Sequence, residues 1–162
     1  MKEIAINITV NGMRHQVLVK PHWTLASLLR DILNLTSVKV ACGTGDCGCC
    51  TVIANGKAIL SCLTPAARAD GMEIETNEGL RKEGHLHPIQ TSLVQHGAVQ
   101  CGFCIPGMVM NLKAYLAENP NSSEEELRKV LGGNICRCTG YVKQVEALLK
   151  ARDELMSEKR LS

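Results

Sequence analysis

The sequence predicts an α+β chain in which a strand-rich first half, about 75 residues long, precedes a helical second half of similar size. Three observations predict it. Apolar and polar residues alternate from the start of the chain, the period of a half-buried strand. Beyond Pro88 the apolar residues recur at helical spacing instead. The nine cysteines fall into two groups, one in each half.

Taken in order, Ile4, Ile6, Ile8 and Val10 alternate with polar neighbours, and Asn11-Gly12 then gives the strongest short hairpin signal. Val17 and Val19 continue a second strand that Pro21 ends. Thr24 is a suitable N-cap for a helix over residues 25–34, with Leu25, Leu28, Leu29, Ile32 and Leu33 on one face. A Gly/Cys-rich loop follows over residues 41–50. Asn55-Gly56 joins two further strand-like runs, Thr51-Val52-Ile53 and Ala58-Ile59-Leu60, into a second hairpin. Met72, Ile74 and Thr76 read as a last strand. Residues 77–86, with Asn77, Gly79 and Gly84, read as a polar linker. Pro88 suits the first position of a helix over about 88–96. Pro106 opens another that Asn119-Pro120 ends. Ser122 or Ser123 caps a third helix, whose first turn holds Glu124, Glu125 and Glu126, where the helix dipole favours negative charge. Gly132-Gly133 stops it. An amphipathic helix from about Tyr141 to Met156 closes the chain, with Val142, Val145, Leu148, Leu149 and Leu155 apolar. The expected domains are 1–78 and 79–162.

Composition narrows the function. A net charge of +2 over 162 residues points to neither nucleic acid nor an anionic membrane surface. The only aromatics are Trp23, Phe103, Tyr115 and Tyr141, so the core must be aliphatic. Each half is small enough to need a staple, which metal coordination can supply because its binding energy becomes folding energy. No apolar run reaches the ~18 residues of a membrane span. The first residues show neither a secretory leader nor a twin-arginine segment, so the cytoplasm is the expected compartment. Thiols stay reduced there. An odd number of cysteines, three of them crowded as Cys47, Cys49 and Cys50, suits metal ligation better than disulfides.

In the first group, Cys42, Cys47 and Cys50 give C-x4-C-x2-C, and Cys62 stands further on. That is the plant-type 2Fe–2S spacing. A thiolate-bound cluster is compact and anionic, so its loop must curl with N–H groups pointing inward. Gly43, Gly45 and Gly48 permit such turns. Choosing Cys49 over Cys50 would give C-x4-C-x-C, which departs from the plant-type spacing, so Cys49 reads as a small apolar thiol packed beside the loop. Structural zinc also takes four thiolates, but usually from two short knuckles. The second group pairs Cys101 and Cys104 as C-x2-C with Cys136 and Cys138 as C-x-C. By spacing alone zinc competes strongly here. Both pairs, however, border expected helix ends, whose free N–H groups favour an anionic cluster. Arg137 lies between the last two ligands and either adds positive charge or is a solvated surface arginine.

Three motifs then stand in order: Cys42-Gly43-Thr44-Gly45-Asp46-Cys47-Gly48-Cys49-Cys50-Thr51-Val52, Gln100-Cys101-Gly102-Phe103-Cys104-Ile105-Pro106-Gly107-Met108 and Asn134-Ile135-Cys136-Arg137-Cys138-Thr139-Gly140-Tyr141. Together they resemble the small iron–sulfur subunit of the molybdenum hydroxylases, the xanthine oxidase/dehydrogenase family, over nearly the whole chain. The resemblance implies an N-terminal plant-ferredoxin-like β-grasp domain and an all-α four-helix domain, each holding one 2Fe–2S cluster. It adds Asp46 and Gly102 to the residues around the clusters. It implies that the cluster of Cys101, Cys104, Cys136 and Cys138 lies nearer the molybdenum cofactor. The cluster of Cys42, Cys47, Cys50 and Cys62 would lie nearer a flavin. It sets Gln100 and Cys138 against the pterin, although Gln100 also reads as an ordinary surface residue. The implied partners are a large molybdopterin-binding subunit and a medium FAD-binding subunit, as a heterotrimer, single or dimerised. The chain departs from the family at Cys49, where Ala or Ser is usual, and at Ile105, where Thr is common.

The function expected is therefore single-electron relay for a hydroxylase or dehydrogenase acting on a purine, another N-heterocycle or an aldehyde, with no substrate chemistry on this chain. The alternatives are a free ferredoxin-like shuttle and a structural zinc module. Cysteine nucleophilic catalysis by Cys49 finds no support in the spacing of His15, His22, His85, His87 or His96.

Overall fold

A computed structural model describes residues 2–161, with side chains through Ser157; Met1 and Ser162, the outer ends of the two expected domains, lie outside the described residues. Strands β1 (Ile4–Val10) and β2 (Met13–Val19) form an antiparallel hairpin in which Ile4 pairs with Val19 and Val10 with Met13. Asn11 and Gly12 both take positive φ, as a two-residue turn of this hand requires. Strands β3 (Thr51–Ala54) and β4 (Lys57–Leu60) repeat the device across Asn55-Gly56. Strand β5 (Glu73–Glu75) inserts between the hairpins, parallel to β1 and antiparallel to β3, giving the order β2-β1-β5-β3-β4. This central position explains why Ile74 is fully buried although its strand is short.

One face of the sheet, carrying Ile6, Ile8, Val10, Val19, Val52 and Ile74, is covered by Leu25, Leu28 and Leu29. Thr24 caps α1 (Leu25–Ser27) as expected, accepting from the Ser27 N–H at 3.1 Å. The regular helix expected over residues 25–34 does not form. After α1 the chain widens into a π-helical turn, Leu28–Ile32, in which the Leu33 N–H reaches the Leu28 carbonyl. Leu25, Leu28 and Leu29 still share the face turned to the sheet, and beyond them the wide turn carries Ile32 off that face, leaving it 44% exposed.

The second half contains α2 (Pro88–Gln95), α3 (Ile105–Glu118), α4 (Glu124–Leu131) and α5 (Val142–Leu161). Ile89, Leu93, Met108, Leu112, Leu127 and Leu148 are fully buried among them. Ser123, rather than Ser122, caps α4 through a reciprocal pair with Glu126. Val142, counted on the apolar face of the last helix, is exposed at its first turn. Among the described residues no helix is long and apolar enough to cross a membrane.

The segment expected to be a polar linker is ordered at its start. Asn77–Leu80 forms a 3-10 turn. Asn11 clamps it through Thr76, Gln90 Nε2 bonds the Asn77 carbonyl at 3.0 Å, and Glu78 accepts from Ser37. Leu80 already belongs to the helical core, so only residues 81–86 run exposed. The halves are then pressed together. Helix α3 lies along β3 and β4, and Lys113 on α3 pairs with Glu75 on β5.

Candidate metal centres

The loop over residues 41–50 follows the irregular segment after the π-helical turn and turns back through Gly43, Gly45 and Gly48, all at positive φ. Its return leads into β3. The β3–β4 hairpin brings Cys62 beside Cys50, with the Ser61 hydroxyl donating to the Cys50 carbonyl at 2.6 Å. The Cys50 and Cys62 thiols are neighbours, Cys62 also feels Cys42, and Cys42 in turn contacts Cys47. Cys42 is exposed, whereas Cys47, Cys50 and Cys62 are buried. The Thr44 N–H, 3.4 Å from the Cys42 sulfur, and the Cys47 N–H favour the thiolate and lower the Cys42 pKa to about 5. Burial, aided by Cys50, pushes Cys62 up to about 11. Asp46 accepts from the Thr44 hydroxyl at 2.6 Å, closing the loop tip. Leu63 covers Gly45, where a side chain would meet it at 2.5 Å.

Cys49 faces the other way. It is 4% exposed, sits in the helical core with Cys104, and its thiol lies 3.8 Å from the Cys47 carbonyl. Burial first, then the neighbouring Cys47, raises its pKa to about 12, so it stays a neutral thiol.

The second group forms where two loops meet. Gly102, at positive φ, turns Cys101 and Cys104 onto the N-terminus of α3, which Cys104 caps by position. The Cys138 and Cys101 sulfurs lie 3.5 Å apart, and Cys104 contacts Cys136. Burial pushes Cys104 up to about 12. Burial also acts to raise Cys136, but the Thr139 hydroxyl, 3.1 Å from its sulfur, and the N–H groups of Cys138 and Thr139 outweigh it and bring the pKa down to about 7. Gln100, Cys101, Arg137 and Cys138 form an exposed edge.

All nine cysteines are free, and eight of them lie in these two foursomes. Among the described residues no three or more His, Cys, Asp or Glu side chains are arranged to hold a single metal ion. The donor set of each foursome, soft thiols among inward N–H groups, fits a 2Fe–2S cluster. The five histidines stand outside both groups.

The residues that hold the loops in place are not cysteines. Tyr141 takes a φ of 69°, a strained value for a bulky residue. Its hydroxyl accepts from the Cys136 N–H at 2.7 Å and donates to the Asn134 carbonyl at 3.2 Å. Asn134 is buried and donates to the Gly48 carbonyl. That carbonyl also accepts from the N–H and hydroxyl of Thr51. The one sequence signal was that both residues stand inside the third cysteine motif. Lys39, before the first loop, lies over the ring of Phe103 in the second, 6.0 Å from its centroid.

Comparison with known proteins agrees with this geometry. Residues 8–78 match the 2Fe-2S iron-sulfur cluster binding domain, and residues 76–149 match the [2Fe-2S] binding domain. The nicotinate dehydrogenase small FeS subunit of Eubacterium barkeri is 43% identical over 143 residues, covering 88% of this chain and 91% of that one. The xanthine dehydrogenase iron-sulfur-binding subunit of Escherichia coli O157:H7 is 48% identical over 149 residues, covering 90% and 92%. The crystal structure of quinoline 2-oxidoreductase from Pseudomonas putida 86 superposes with a TM-score of 0.93 at 41% identity, covering 98% of each chain. This chain belongs to the iron–sulfur, electron-transferring subunits of the xanthine dehydrogenase-type molybdenum hydroxylases.

Proposed function

We propose that the chain relays single electrons between molybdopterin on a large subunit and FAD on a medium subunit, or another acceptor, through two 2Fe–2S clusters. Cys42, Cys47, Cys50 and Cys62 hold the first, and Cys101, Cys104, Cys136 and Cys138 the second. The observation that carries this reading is the pair of thiol foursomes, built on loops bonded directly to each other. The clusters supply one-electron redox chemistry. The protein supplies the rest. Inward N–H groups of Thr44 and Thr139 stabilise negative charge at the sulfurs, and burial of Cys47, Cys50, Cys62 and Cys104 keeps water away.

In this reading residues 1–78 are the plant-ferredoxin-like β-grasp domain and 79–162 the four-helix domain. The exposed edge of Gln100 and Cys138 meets the pterin of the large subunit, with Arg137 beside it. The complex is a heterotrimer, single or dimerised, working on a purine, another N-heterocycle or an aldehyde. Nine free thiols suit a reducing cytoplasm. The test is anaerobic purification with iron and zinc analysis, then EPR of the dithionite-reduced protein. Four irons per chain and two distinct spin-half signals are expected. Zinc without an EPR signal would refute the relay.

A further inference from the structure

Among the described residues, three buried side-chain polar atoms have no hydrogen-bond partner, and two of them belong to Gln144. Gln144 is fully buried on α5, yet neither its Nε2 nor its Oε1 meets a partner, thiol sulfurs included. An apolar side chain of the same size would fill this place without leaving polar atoms unpaired, so the amide calls for a partner that the polypeptide does not supply. The donor sets the demand, because a buried N–H is left unpaired more rarely than a carbonyl oxygen.

The place of Gln144 in the fold identifies that partner. Gln144 is in the first turn of α5. Helical side chains lean towards the N-terminus of their helix, so its amide reaches back over Gly140 and Tyr141. Those residues are tied to the second thiol group, since the Tyr141 hydroxyl accepts from the Cys136 N–H at 2.7 Å. The other ligand segment arrives on the same side. The Ser92 hydroxyl on α2 donates to the Ala147 carbonyl at 2.6 Å, about one turn further along α5. The two helices run antiparallel, because His87 and Ile89 at the start of α2 line one cavity with Leu155 and Met156 far along α5. The end of α2 is therefore level with Gln144, and from there the chain passes through the buried Ala98 to Cys101. Gln144 thus lies where the segments carrying Cys101 and Cys138 converge, their sulfurs 3.5 Å apart. The sulfides of a 2Fe–2S cluster held by Cys101, Cys104, Cys136 and Cys138 bring anionic acceptors to this point of an otherwise apolar core.

We propose that Gln144 Nε2 donates a hydrogen bond to a sulfide of the second cluster and so raises that cluster's reduction potential. The inference rests on the two-cluster reading above. The reduced cluster is one electron more negative than the oxidised one, so a donor at its sulfur stabilises the reduced form more. The effect is confined to the second cluster, because Cys50 and Cys62 of the first group pack into the separate core of the sheet.

The test uses the purified complex, wild type and Gln144→Met, a change that keeps the unbranched length and removes the donor. Three quantities are measured: iron content, the midpoint potential of each cluster by EPR-monitored titration, and pulsed-EPR coupling of the reduced second cluster to glutamine side-chain nitrogen carrying a heavy-isotope label. At full iron content Gln144→Met is expected to move the second cluster to lower potential, leave the first where it was, and abolish a labelled coupling that survives Gln100→Ala. Two unchanged potentials in a fully loaded Gln144→Met complex would overturn the inference. Should that variant lose iron, the wild-type complex and Gln100→Ala decide without it. A labelled nitrogen coupled to the second cluster in both is the expected result. Coupling to exchangeable protons without such a nitrogen would overturn the inference, by giving the amide a buried water instead. A wild-type complex with one cluster signal would overturn the two-cluster reading itself, a separate result from two signals without the nitrogen coupling.

Discussion

Replacing Gly107 by Ala sets two effects of opposite sign against each other. Gly107 lies in the first turn of α3, and there the exchange gains about 0.8–1 kcal/mol of helix propensity. The structure opposes it. The new methyl would overlap the Gly48 carbonyl and stand 2.8 Å from the Cys49 oxygen, both of them backbone atoms. The Gly48 carbonyl cannot retreat freely, because it accepts from the Thr51 N–H at 3.1 Å, the Thr51 hydroxyl at 2.7 Å and Asn134 Nδ2 at 2.9 Å. Overpacking of this kind costs about 1–3 kcal/mol, and each hydrogen bond strained on retreat costs roughly a further 0.5–1.5. The net is a loss of roughly 2–3 kcal/mol, which at this chain length lowers the melting temperature by about 5–10 °C. The assay is thermal unfolding of the cluster-loaded protein, followed by far-UV circular dichroism and visible absorbance at matched iron content. An unchanged or raised melting temperature would mean that helix propensity wins, and that α3 does not press on the loop between the cysteine groups.

Four further outcomes follow from the same geometry. Tyr141→Phe leaves the Cys136 N–H without its acceptor, a cost of about 1–3 kcal/mol. On heating, the second cluster's EPR signal should vanish earlier while the first cluster's is unmoved; equal loss of both would refute it. Cys50→Ser should remove the first cluster's signal and Cys49→Ser should keep it, because only Cys50 faces Cys62; the reverse pattern in iron analysis would exchange their roles. Glu78 is raised by burial, but hydrogen bonds from the Ser37 and Thr76 hydroxyls and the Ser37 N–H hold it, on balance, below its ordinary value of 4.5. Its contribution to stability is present above that value and is lost as the pH falls through the folded one. Glu78→Gln should therefore be less stable than wild type at neutral pH and converge on it in acid, as read from urea midpoints against pH; a constant gap would rule out the linkage.

Much of the fold was legible because its signals are local. Asn-Gly at residues 11–12 and 55–56 marks two hairpins, and Ser122-Ser123 ahead of three glutamates marks a helix start, with the choice of Ser123 left to the structure. The wide turn after α1 was not legible, because nothing in the spacing of Leu25, Leu28, Leu29 and Ile32 distinguishes it from a regular helix. The order of the sheet was equally hidden. Three residues of β5 reveal nothing of the two hairpins they will separate.

By itself the sequence determined which side chains could do chemistry here. Two cysteine groups with fixed spacings, set among glycines, are written along short stretches of chain, and chemistry at that scale depends on residue type and separation. The tertiary structure decided how the groups relate. Cys49 and Cys50 are adjacent in sequence, yet one packs against α3 and the other against the sheet, because the loop passes between two cores. Asn134 meets Gly48 across 86 positions, and Tyr141 holds Cys136 only because a strained backbone turns its ring inward. Contacts of that range exist only once both halves have folded and α3 has settled on β3, since packing, not spacing, brings their partners within reach.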